Sequence, residues 1–118
     1  AEVFPACLAQ NLGVLARVPL ASGLLSGKYR PGTVFSDPED IRSKRDPAMV
    51  EERLRQAEQI QRSEVPPGVE MASWALAWCL QHPAVTCVIP GCKNAAQVAA
   101  NAAAADLPLV RENHPQAA

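Results

Sequence analysis

The stretch from Val85 to Asn94, with the sequence VTCVIPGCKN, constrains the possible folds of this chain more than any other part. A nearly continuous apolar run of this kind is typical of a strand in a parallel sheet that is covered on both faces. The run ends at Gly91, where the backbone can approach a ligand closely. The sequence therefore predicts a buried strand that leads directly into a binding loop.

A helix is predicted to follow this loop, from about Ala95 to Ala105. Asn94 is a natural N-cap, and Gln97, three positions on, completes an approximate capping box. The first backbone N–H groups of a helix, together with the charge of Lys93, favour an anion. Taken alone, the two capping residues are more often a helix start without any ligand. The predicted core stripe of this helix is Val98, Ala102 and Ala105.

The composition is that of an ordinary globular chain, long enough for one small domain. It has 118 residues, 48% of them apolar, and a net charge of −1. Eleven Lys and Arg against twelve Asp and Glu leave no general basic field, so nucleic acid is not a predicted partner. The longest apolar run, Ala75 to Leu80, is far shorter than the roughly 20 residues of a membrane span. No charged segment followed by an apolar one opens the chain, so secretion is not indicated.

The four cysteines form no C-x-x-C pair, which favours a reduced, cytoplasmic setting. A zinc set could be sought in Cys79, His82, Cys87 and Cys92. Their spacing matches no common ligand pattern, and they fall on a helix, a turn and a strand. We therefore predict no metal site.

The first half of the chain shows one short strand and a long irregular segment. A helix over 2–12 is predicted to end at Gly13 as a left-handed cap, followed by a strand over 14–18. A polar segment over 29–46, which contains a cluster of basic residues at 42–45, is predicted to be irregular.

Two helices are predicted in the second half. Asp46 and Pro47 form an N-cap followed by proline at the first helical position, and apolar residues then recur at helical spacing. A second helix over 69–81 is apolar nearly all round, so Trp74 and Trp78 are predicted to pack in the core. His82 is predicted to be a helix cap or a surface residue.

The order strand, helices, strand, helix predicts parallel pairing through a right-handed crossover. Two strands cannot bury both faces beneath so few helices. The chain also starts inside a predicted helix. We therefore expect a fragment of a larger fold.

The motifs PLASGLLSGKY at 19–29, Phe35 through Arg42, ALAW at 75–78, and IPG at 89–91 followed by Gln97 and Asn101 resemble the C-terminal portion of an aldo/keto reductase. The similarity is greatest to the branch with bacterial aldo/keto reductases and potassium-channel β subunits. It implies an α/β fold in which residues 1–118 form the last two βα units, plus a preceding helix, of a (β/α)₈ TIM barrel. A polar tail would begin near residue 110.

The resemblance implies an NADP(H)-binding oxidoreductase that transfers hydride between NADPH and an aldehyde or ketone. The loop after barrel strand 7, joined by an arginine, would fold over the pyrophosphate, and the loop and helix after strand 8 would contact the adenosine phosphate and the adenine. Lys93 suits a 2′-phosphate, so NADP is favoured over NAD. The implied cofactor-binding residues are Pro19, Leu20, Ala21, Ser22, Lys28, Arg42, Gly91, Lys93, Gln97 and Asn101.

No catalytic residue is predicted in this chain. The Asp, Tyr, Lys and His tetrad of such reductases precedes the matched region, and Tyr29, the only tyrosine, falls in the implied cofactor loop. Two alternatives stay open. One is an NADP(H)-binding or sensor module without turnover. The other is a truncated product that completes its barrel by association with another chain or with itself.

Overall fold

The computed structural model describes residues 2–108, so the predicted polar tail lies outside the described residues. The chain divides into two compact units, one formed by the residues up to Pro19 and from Ser73 onward, the other by Leu20–Ala72. The elements in chain order are α1 (Val3–Ala9), β1 (Leu15–Arg17), α2 (Pro47–Ser63), α3 (Met71–Leu80), β2 (Cys87–Ile89), α4 (Ala95–Ala103) and a 3₁₀ turn (Ala104–Asp106).

The first unit contains a parallel pair of strands, as predicted. β1 and β2 align Leu15 with Cys87 and Arg17 with Ile89. The prediction that the second strand is buried on both faces was wrong, because Ile89 is 54% exposed. Leu15 in β1 is 63% exposed as well. A two-stranded ribbon has too few neighbours to cover both of its faces.

Helix α1 ends at Ala9, and its left-handed cap is Asn11 (φ 52°) rather than Gly13. The N–H groups of Asn11 and Leu12 donate to the carbonyls of Leu8 and Cys7, at 3.2 and 2.8 Å. This is the hydrogen-bond pattern of a Schellman cap, for which Asn is the usual substitute when Gly is absent. The prediction of Gly13 was wrong because an Asn two residues earlier already ends the helix.

Helix α3 is apolar and contributes Trp74 to the core, with the Trp78 ring 6.4 Å away. His82 follows it and is only 8% exposed, which corrects the prediction of a surface residue. Its Nδ1 accepts a hydrogen bond from the Ala84 N–H at 3.1 Å, and its ring lies 4.4 Å from that of Phe4. Local sequence could not reveal this aromatic contact.

Helix α4 presents a different face from the one predicted. Gln97 and Asn101 are its half-buried residues, whereas Val98 is 53% exposed and Ala102 and Ala105 are also exposed. The core stripe was therefore wrong. A helix that is almost entirely alanine has too little hydrophobic contrast to fix its orientation, and capping contacts at its N-terminus involve Gln97 instead.

The second unit packs around Leu24, Val50 and Leu54. Helix α2 begins as predicted, because the Asp46 carboxylate accepts from the Ala48 N–H at 3.0 Å and Pro47 occupies the first turn. The irregular segment before α2 is attached to it, since the Glu51 side chain accepts from the Gly32 N–H at 2.7 Å.

No helix within residues 2–108 is long and apolar enough to cross a bilayer.

We expect Leu54→Ala to destabilise the second unit by about 2–5 kcal/mol, because Leu54 is fully buried and its truncation leaves a cavity. Urea unfolding followed by circular dichroism measures the loss. Gln59→Ala on the exposed side of α2 is the matched control and should change the free energy of unfolding by less than about 0.5 kcal/mol. Equal effects of the two substitutions would contradict this core.

Candidate functional site

A tight series of turns follows Pro19 and contains consecutive left-handed residues. Ala21, Ser22 and Gly23 have φ values of 50°, 59° and 86°. Only the glycine adopts this conformation without steric cost, and strained residues of this kind cluster at binding sites. The buried Leu24 anchors the turns in the core of the second unit. The strain is therefore stabilised by packing.

The Arg42 guanidinium holds this turn in place. Its Nε donates to both carboxylate oxygens of Asp40, at 2.9 and 3.1 Å, and its Nη1 donates to the carbonyl of Ser22 at 3.4 Å. The rings of Tyr29 and Phe35 lie against it, with centroids 4.7 and 4.2 Å from its central carbon. The hydrogen bonds to Asp40 raise the pKa of Arg42 further above its ordinary value. Arg42 is therefore enclosed by its own partners.

Gly23 is required by this arrangement for a second reason. A Cβ at Gly23 would come within 3.2 Å of Arg42 Nη1, which is tighter than ordinary contact. The small residue and the arginine therefore belong to one packed unit.

Arg45 reaches the same turn, where its Nη2 donates to Ser22 Oγ at 3.1 Å. Together with Arg42 it lines a cavity of about 250 Å³, whose other walls include Val34, Phe35 and Val50. Sequence reasoning missed both Arg45 and Asp40 as site residues. The available signal was the Asp-x-Arg spacing at 40–42 and the run of basic residues that follows it.

In the first unit, the loop after β2 leads into the N-terminus of α4. The Asn94 side chain accepts from the Gln97 N–H at 2.9 Å, which confirms the predicted N-cap. The Gln97 side chain accepts from the Lys93 N–H at 2.7 Å, one residue before the position that a regular capping box uses. Among the described residues, the N–H groups of Ala95 and Ala96 have no hydrogen-bond partner.

Gly91 lies in this loop with open space around it. Its φ is not left-handed, and a Cβ built there meets nothing within 4 Å. Nothing in the described part of the chain itself therefore requires glycine at this position. The free space beside unpaired N–H groups and the exposed Lys93 suits a phosphate group.

The predicted cofactor residues are divided between the two units. The structure brings Ser22 and Arg42 into contact in the second unit, and Lys93 and Gln97 in the first. Lys28 is exposed, and its backbone N–H donates to Ser26 Oγ at 3.3 Å. Gln97 and Asn101 share one face of α4, as predicted. The remaining predicted residues lie outside helices and strands. Pro19, Leu20 and Ala21 lie in the turns after β1, and Gly91 lies in the loop after β2.

Other chemical groups are engaged in packing. The Tyr29 ring contacts Phe35 edge to face at 5.0 Å as well as Arg42. Burial raises the pKa of the Cys79 thiol. Within residues 2–108 no three His, Cys, Asp or Glu side chains are placed to hold a metal ion.

The sequence profile of the aldo/keto reductase family matches residues 1–117, so the chain belongs to this family. It is 32% identical over 114 residues to a probable voltage-gated potassium channel subunit beta from Arabidopsis thaliana, with 92% of this chain and 35% of that protein covered. It is 34% identical over 116 residues to an uncharacterized oxidoreductase from Mycobacterium bovis, with 92% and 33% covered.

A further relative is the L-glyceraldehyde 3-phosphate reductase of Escherichia coli O157:H7, 35% identical over 100 residues that cover 77% of this chain and 28% of that protein. Among solved structures, the holo form of an aldo-keto reductase from Bacillus halodurans matches with a TM-score of 0.66 and 26% identity. The match covers 98% of this chain and 36% of that chain. The chain thus spans about a third of the length of these proteins.

We expect Arg42→Gln to release the Ser22 turn, at a cost of about 1.5–3 kcal/mol for the charged hydrogen bonds that are lost. Hydrogen exchange followed by mass spectrometry should show faster exchange over 20–26 and 35–42, with helix α2 unchanged. Arg55→Gln, which removes a more exposed ion pair with Glu51, is the control. Unchanged exchange in the turn of Arg42→Gln would contradict the role given to this pair.

Proposed function

We propose that this chain is the C-terminal, NADP(H)-binding part of an aldo/keto reductase barrel. Such a protein transfers hydride between NADPH and an aldehyde or ketone, and its catalytic tetrad would lie on sequence outside this chain. Family membership over residues 1–117 is the observation that carries the proposal. The relatives described as oxidoreductases support the reaction class.

The chain's own residues have separate roles in this proposal. The N–H groups at the start of α4 and the Lys93 ammonium would bind the phosphate on the adenosine. Gln97 and Asn101, one helical turn apart, would bind the adenine. In the other unit, residues 19–22, Lys28 and Arg42 would belong to the loop beside the pyrophosphate. When bound, the nicotinamide supplies the hydride chemistry; these residues bind and orient it.

Lys93 favours NADP over NAD because its compact charge would pair with the 2′-phosphate, which NAD lacks. Its charge has no acidic partner among residues 2–108. A cytoplasmic location belongs to the same proposal, since that compartment supplies NADP(H) in a reducing setting.

A second candidate function is NADP(H) binding without turnover, as a module or sensor. The similarity to probable potassium channel beta subunits favours it. Reading the DNA upstream of Ala1 in frame distinguishes the two candidate functions. The reductase requires Asp, Tyr, Lys and His of the tetrad on that sequence, and an upstream sequence without them would leave only the binding function.

We expect the chain to bind NADPH more tightly than NADH. Lys93→Ala should weaken the affinity for NADPH by about tenfold and leave the affinity for NADH nearly unchanged. Titration with fluorescence of the dihydronicotinamide as the readout measures both affinities. Arg53→Ala, an exposed cation on α2, is the control for a general loss of positive charge.

An equal loss of affinity for NADPH and NADH in Lys93→Ala would contradict the assignment of the 2′-phosphate to Lys93. A chain that binds neither nucleotide would remove the cofactor function from these 118 residues taken alone.

A further inference from the structure

Arg17 is the last residue of β1, and its charge has no role in the proposed cofactor site. The side chain is exposed, and among residues 2–108 no hydrogen bond or ion pair involves its guanidinium. The positive charge is therefore available to a ligand, so the position of Arg17 in the first unit decides what it can do.

The register of the strand pair places Arg17 beside an apolar side chain. Arg17 is aligned with Ile89, the last residue of β2. Aligned residues of parallel strands point to the same face, and the strands lie about 4.8 Å apart. Both residues are exposed, whereas Ala16 and Val88, one position earlier in each strand, are half-buried on the other face. A cation and an apolar group thus lie together at the carboxyl end of the pair.

The carboxyl end is the part of such a strand pair that stays open to ligands. In a (β/α)₈ barrel the neighbouring strands cover the body of each strand, but the active site is built at the face where the strands end. Arg17 and Ile89 each occupy the last position of their strand. The two residues would therefore remain accessible in the barrel of the proposed function.

The backbone directly after Arg17 is strained. Val18 has a φ of 53°, which a β-branched residue rarely adopts. Its side chain is 46% exposed, so burial of the valine does not offset this strain. Residues held in such conformations cluster at ligand sites, where they fix the direction of the chain. Here the strained residue ends the strand at Arg17 and leaves the arginine as its last side chain.

The reacting groups of the proposed function do not need this cation. A dihydronicotinamide ring and a simple aldehyde or ketone carry no charge, and the adenosine phosphate already has Lys93. A free guanidinium next to an apolar side chain instead suits a substrate with a negative charge of its own. The planar guanidinium binds both oxygens of a carboxylate at once, which gives direction as well as attraction.

We infer that Arg17 is a specificity-determining residue that binds the carboxylate of an oxo acid, an aldehyde or ketone that also carries a carboxylate. Ile89 contacts the carbon chain between the two groups. This role rests on the proposed function and deepens it, because it names the substrate class. It involves none of the residues assigned to the cofactor.

The test compares levulinate, a ketone with a carboxylate, with methyl levulinate, its neutral ester. Both are titrated into the full chain, with and without saturating NADPH, and binding is followed by heteronuclear NMR at residues 17 and 87–90. We expect levulinate to bind about fivefold more tightly than the ester, the upper range for an exposed charge pair. Arg17→Gln should abolish this preference, and Arg17→Lys should retain part of it.

Arg53→Gln is the matched control for the loss of one positive charge. Arg53 is also exposed and has no ion pair among residues 2–108, but it lies on helix α2 rather than at a strand end. This variant should keep the preference for levulinate. The melting temperature of Arg17→Gln should equal that of the unmodified chain, because the arginine supports no described contact. Equal affinity of the unmodified chain for the two compounds, or a preference that persists in Arg17→Gln, overturns the inference.

NADPH titrations of the same variants separate this inference from the proposed function. Arg17→Gln should leave the affinity for NADPH within about twofold. A loss of NADPH affinity without a change in the levulinate preference assigns the charge to the cofactor, which retains the function and overturns the inference. A levulinate preference that depends on Arg17, in a chain that does not bind NADPH, retains the carboxylate site and overturns the function. A chain that binds none of the three compounds overturns both.

Discussion

The ion pair between Asp40 and Arg42 is the interaction on which the irregular segment of the second unit depends. Residues 18–46 contain no helix or strand, so no regular ladder of hydrogen bonds offsets the entropy lost in ordering them. The guanidinium replaces such a ladder, because it joins the Asp40 carboxylate and the Ser22 carbonyl while Tyr29 and Phe35 pack on it. Both partners are largely shielded from water, so solvent screens this pair less than it screens a surface ion pair.

The same pair explains why the turn can hold strained residues. Ala21 and Ser22 each pay a steric cost for a left-handed backbone, and Gly23 leaves the space that Arg42 occupies. The core residue Leu24 belongs to this turn, and Arg42 donates to its Ser22 carbonyl. These contacts hold the backbone of the turn in place without help from a ligand.

Local chemistry predicted the parts of this fold that depend on a few neighbouring residues. Asp46 with Pro47 and Asn94 with Gln97 start their helices as expected, since a cap needs only a side chain and a nearby N–H. The predictions of Gly13 as a cap, of a surface position for His82 and of the core stripe of α4 failed because other contacts decided them. These contacts are an earlier left-handed Asn11, the ring of Phe4 and the capping bonds of Gln97. The exposure of Ile89 reflects how few elements surround the strand pair, which no local pattern reports.

The candidate site could be predicted in part from the sequence for the same reason. The family motif points to Ser22 and Arg42 by their positions, and the structure shows the two in contact, but a motif does not say how a charge is used. The Arg42 guanidinium is paired with the Asp40 carboxylate, whereas that of Arg45 donates to the Ser22 hydroxyl. Residue identity predicts which side chains meet at such a turn, and the structure shows which partners each charge has.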